Sequence, residues 1–230
     1  MIEYTITLDY GRTFRFKVDP ERTANPRASR IPPPEWTKLE FNQCSNCPLK
    51  PETSPHCPVA VDVVQIIAAF KSILSYENVN VTVTTADRTY SKRTDAQTGL
   101  RSYLGLVMAT SACPYFSRLK GLARFHLPFA TMEETIFRTT GAYLIQQYFV
   151  LKDGGTPDLE LRGLKEFYDE LQTVNRCFKL RVDAASELDA NMNATASLVY
   201  LAMGVSYSLD DKLGEMRPFL TATSIAPPSA

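Results

Sequence analysis

The sequence predicts an α+β fold: an N-terminal antiparallel sheet of four to five strands packed with about five main helices, and a helical C-terminal half. Three observations lead there. Apolar and polar residues alternate at the start of the chain, and apolar residues recur at helical spacing throughout its second half. A loop rich in proline and cysteine lies between the early strands and the first helix.

Ile2–Leu8 and Thr13–Val18 alternate around Asp9-Tyr10-Gly11-Arg12, the pattern of a β-hairpin whose glycine supplies the turn geometry. Residues 19–34 are rich in proline and arginine and read as an extended connection, because proline blocks both helix and central strand. Trp36, Leu39 and Phe41 predict a third strand that delivers the chain to Cys44. Val59, Val63, Ile66, Ile67, Phe70, Ile73 and Leu74 recur at helical spacing, with Pro58 suited to the first helical position and Cys57 to the N-cap. Residues 78–85 alternate as a strand, and residues 88–92 pair back against it.

Asp95 caps a second helix carrying Leu100, Tyr103, Leu104, Val107 and Met108, which ends near Cys113-Pro114. Residues 115–124 read as a short helix or irregular segment, and His126-Leu127-Pro128-Phe129 as a break. Thr131-Met132-Glu133-Glu134 forms a capping box that opens a helix to about residue 151. Two further helices, over about 159–181 and 184–209, are joined by a short connection and become antiparallel neighbours. The expected organisation is one domain over 1–217, with its cysteine-rich loop at 44–58, and a flexible tail over 218–230.

Composition narrows the function classes. An apolar content of 44% and a charged content of 22% are ordinary for a globular protein, so a core can form without help from a metal. The formal net charge is zero, which gives no global field to recruit nucleic acid or an anionic membrane. The alternating N-terminus lacks the pattern of a signal peptide, and the longest apolar stretches are too short to span a bilayer, so no membrane association is expected. An odd number of cysteines without an export signal favours reduced thiols and a cytoplasmic location.

Four of the five cysteines carry the chemistry: Cys44-x2-Cys47-x9-Cys57, then Cys113, with proline directly after Cys47, Cys57 and Cys113. A Cys-x2-Cys turn presents two sulfurs toward one ion, and two more complete a tetrahedral zinc site. Cys44, Cys47, Cys57 and Cys113 are therefore the expected metal ligands, with His56 or His126 as replacements for one of them. Zinc is favoured. An iron–sulfur cluster is the alternative, although the spacing matches neither ferredoxin pattern. A redox dithiol at Cys44 and Cys47 needs a helix start, which Pro48, Pro51 and Pro55 oppose. Ordinary buried thiols are the plain alternative, and Cys177 is read as packing.

The other candidates carry less. His126, with Glu133 or Glu134, could serve an iron–sulfur or zinc enzyme, against the simpler reading of a structural histidine. Glu134 and Arg138 are spaced as a solvated helix pair. Arg118, Lys120 and Arg124 among aromatic residues could make a nucleic-acid-binding adaptor, but zero net charge favours a solvated face. A nucleic-acid partner is thus not expected, and an unidentified protein partner is left open. No Walker loop, dinucleotide fingerprint, nucleophile elbow or His-Glu-x-x-His motif is present.

Cys44-Ser-Asn-Cys47-Pro-Leu, Cys57-Pro, Ser-Ala-Cys113-Pro and Arg124-Phe-His126-Leu-Pro-Phe129 together resemble an uncharacterised bacterial domain family of unknown function. The resemblance spans most of the chain and implies a cytoplasmic, single-unit fold. It implies no activity or ligand. The functional expectation is a metal held for a structural or regulatory purpose.

Overall fold

The computed structural model describes residues 1–22 and 32–222. Four strands form one antiparallel sheet in the order β2-β1-β3-β4: β1 Ile2–Leu8, β2 Thr13–Val18, β3 Asn78–Thr84 and β4 Thr89–Asp95. The sequence alternation sets the register. Tyr4 lies opposite Val83 and Ile6 opposite Val81, so the buried residues of both central strands share one face. The alternate positions face outward, as in a sheet covered on one side.

Helices α1 (Pro58–Phe70) and α2 (Ala96–Ala109) cover that face. Phe70 of α1 meets Phe14 of β2 at 4.6 Å between ring centroids, and Tyr103 of α2 meets Tyr4 and Phe16. A Cβ at Gly99 would lie 3.0 Å from Val81 Cγ2, so this glycine sets how closely α2 sits on β3. Asp95 caps α2 by accepting from Thr98 N at 2.8 Å. The short α3 (Lys120–Arg124) then leads to α4 (Met132–Lys152), α5 (Arg162–Ala184) and α6 (Ala190–Thr221). The Thr131–Glu134 capping box opens α4 as expected. The α5–α6 pair makes the most extensive helix contact, and α6 also packs on α2 and α4.

The fold is α+β, as the sequence predicts, with four strands and five longer helices among the described residues. The expected third strand over 36–41 does not form. Glu35–Thr37 is a 3₁₀ turn, and only an isolated bridge joins Lys38 to His56. The physical reason is a competing donor: the Arg181 guanidinium takes the carbonyls of Trp36, Lys38 and Leu39, which a neighbouring strand would otherwise use. Helix α6 runs through Pro218 to Thr221, beyond the expected domain end at 217. The rest of the expected tail, 223–230, and the middle of the expected extended connection, 23–31, lie outside the described residues. Among the described residues, no helix is long and apolar enough to cross a membrane.

Candidate metal centre

Cys44, Cys47, Cys57 and Cys113 line one small cavity of about 20 Å³, together with Leu39, Val174, Phe178 and Arg181. Three separate stretches of chain bring them there. Cys44 and Cys47 lie on a turn closed by Cys47 N donating to Cys44 O at 3.0 Å. Cys57 is the N-cap of α1, where Pro58 pre-sets the first helical φ. Cys113 follows the end of α2, and its carbonyl accepts from Ser117 N at 2.9 Å.

Hydrogen bonds hold these stretches against each other. Tyr115 Oη donates to Asn46 O at 3.0 Å, linking the turn after Cys113 to the Cys44–Cys47 turn. Asn46 Nδ2 donates to Glu170 O at 3.2 Å, linking that turn to α5. Cys57 N donates to Thr37 O at 2.7 Å, and Leu39 N to Pro55 O at 2.9 Å. Arg181 is 1% exposed, with Nη1 donating to Lys38 O and Nη2 to Leu39 O, each at 2.6 Å. It therefore fixes the approach to the loop from the α5 side.

The thiols are strongly desolvated. Burial pushes the Cys44 thiol up, and proximity to Cys177, Cys57, Cys113 and Cys47 pushes it further. Burial also raises the Cys57 thiol, while Arg181 and the Ala60 and Val59 amides pull it the other way. These amides face the sulfur without closing a short cap hydrogen bond. Burial raises Cys113 to about 11, again against two amides, those of Phe116 and Tyr115. Two Cys-Pro segments thus use the same device: a proline turn aims backbone N–H groups at the preceding sulfur. All five cysteines are free thiols. Among the described residues, no group of three His, Cys, Asp or Glu side chains is arranged as it stands to hold a metal ion.

The remaining candidates fall elsewhere. His126 lines a second, larger cavity, and its Nε2 lies 2.6 Å from Tyr4 Oη. Burial and then Arg138 lower its pKa to about 3, so the ring is neutral. The structure does not join it to a glutamate: Glu134 accepts from Thr131 N in the capping box, and Glu133 is exposed. Arg138 donates to Leu122 O and Phe125 O in place of the expected solvated pair with Glu134. His56 bonds Thr37 through Nδ1 at 2.8 Å and, like His126, is not among the residues lining the cysteine cavity. Arg118 pairs with Glu170 and lies over Phe167, Arg124 pairs with Glu21, and Lys120 donates to Arg22 O. These three cations are each engaged within the protein.

The sequence reads Cys177 only as packing and does not single out Arg181. Cys177 neighbours Cys44 from α5, and Arg181 approaches Cys57 one helical turn further on. Their only sequence signal is the i, i+4 spacing that puts them on one helix face.

Comparison with curated proteins and with solved structures gives no match. One family model matches residues 2–221, nearly the whole chain. The chain belongs to that family, a domain of unknown function (DUF6901).

Proposed function

We propose that Cys44, Cys47, Cys57 and Cys113 bind one zinc ion, and that this ion is structural. The observation that carries the reading is that four cysteines from three separate segments line the same cavity of about 20 Å³. A volume of that order takes a single atom-sized guest. An iron–sulfur cluster brings several irons and bridging sulfides, so the size favours one ion. Rotation of the cysteine side chains about χ1 is the adjustment that closes the sulfurs on it.

The electrostatics support the same reading. Burial opposes thiolate at Cys44, Cys57 and Cys113, and a divalent cation supplies the compensating charge that deprotonates a coordinating thiol. Four protein sulfurs leave zinc no open position, which suits a structural rather than a catalytic ion. Such an ion pins the proline-rich loop to the start of α1 and to the turn after α2, fixing a surface that a protein partner can read. Reduced thiols suit a cytoplasmic location.

Counting reactive thiols in native protein tests the reading. Only Cys177 reacts promptly in the purified protein, and all five react after a strong chelator is added. Five equally reactive thiols before chelation contradict it.

A further inference from the structure

A second cavity, of about 160 Å³, lies between α2, α3, α4, α5 and α6. Its wall is mainly apolar, with Leu119, Leu122 and Leu201 among the lining side chains. Two arginines also line it, Arg101 from α2 and Arg138 from α4, and no aspartate or glutamate does. The volume is close to the roughly 150 Å³ that holds a benzene ring in an engineered protein cavity.

The two cations are available to a ligand. Arg101 makes no hydrogen bond or ion pair with another described residue. Burial lowers its pKa, with Asp95 opposing from a distance. Arg138 engages the carbonyls of Leu122 and Phe125 through Nη2 alone, at 3.0 and 2.7 Å, and its other nitrogens have no partner among the described residues. Asp95 acts on Arg101 and Glu134 on Arg138, yet neither carboxylate forms an ion pair with them among the described residues, so both partly buried guanidinium groups keep donors that an anion can take. His126 beside Arg138 is neutral and adds no charge of its own to the cavity.

We propose that this cavity binds a small organic monocarboxylate whose apolar body is about the size of one aromatic ring, the carboxylate held by Arg101 and Arg138. An inorganic anion leaves the apolar wall unfilled, and a neutral aromatic leaves both guanidinium groups without a partner. The combination therefore selects a ligand with both features.

Titration calorimetry of the full chain with benzoate and with benzyl alcohol separates the charge from the ring. Benzoate binds with one-to-one stoichiometry and at least about tenfold more tightly than benzyl alcohol. Arg101→Met weakens benzoate about tenfold and leaves benzyl alcohol unchanged. Because Arg101 holds no carbonyl, the variant keeps its fold, checked by an unchanged thermal midpoint, and Arg101→Gln repeats the measurement with a polar side chain. No heat at millimolar benzoate, equal affinity for the two ligands, or undiminished benzoate binding by the folded variants overturns the proposal.

Discussion

Lowering the pH from 7 to 5 selectively destabilises this protein through His126. The folded ring, pushed down to about 3 by burial and Arg138, stays neutral, whereas the unfolded chain takes up a proton near the ordinary value of 6.5. The unfolded state then binds more protons, so stability is full above about 6.5 and is lost as the pH falls toward 3. At pH 5, roughly 1.5 below the unfolded value, the loss is about 2 kcal/mol. Asp158 and Asp189 have carboxyls held below the ordinary range by hydrogen bonds, so their contribution comes at lower pH. Urea unfolding at pH 7 and pH 5 measures the effect as a shift in midpoint at constant slope. His126→Gln keeps an acceptor for Tyr4 and retains His56, so the difference between the two proteins isolates the one ring. The native protein loses about 2 kcal/mol and the variant less than about 0.5. Equal losses in both proteins refute a neutral, desolvated His126.

Other expectations follow from the buried polar groups. Arg181→Met leaves the carbonyls of Trp36, Lys38 and Leu39 without their donor and costs about 3–5 kcal/mol, read by denaturant unfolding. Asp62→Ala strands the Arg22 guanidinium that grips both its carboxylate oxygens, with a loss of about 3 kcal/mol in the same assay. In metal-free, reduced protein, Cys113 keeps its proton to about 11 while the unfolded chain releases it near 9. Stability therefore falls as the pH rises through that window, by about 1.4 kcal/mol at pH 10, and Cys113→Ala removes that part of the slope.

The local elements were legible because their signals are local. Strict alternation fixed β1 and β3, Asp95 marked the start of α2, and Thr131 with Glu134 marked α4. The segment at 36–41 misled because a distant arginine decides where its carbonyls go, and nothing nearby in sequence records that. Helix α6 outran its expected end because its packing on α5, α2 and α4 supports a long helix that Pro218 interrupts by only one backbone donor. Spacing singled out Cys44, Cys47, Cys57 and Cys113, and the fold brings all four to one cavity. Cys177, Arg181 and the pair Arg101 and Arg138 were illegible for one shared reason. Each acquires its chemical setting from segments remote in sequence, Cys177 from the cysteine turn, Arg181 from the carbonyls at 36–39, and Arg101 and Arg138 from helices around one cavity, while its own sequence neighbours give only an ordinary amphipathic helix.

The metal content of protein purified without oxygen tests the four-cysteine site most directly, with Cys113→Ser beside it. The reading predicts one equivalent of zinc, a colourless solution, and loss of the ion in the variant, since Cys113 joins the cavity from a segment remote from the other three sulfurs. A native protein without bound metal, a brown protein carrying iron, or a variant that still holds one full equivalent contradicts it.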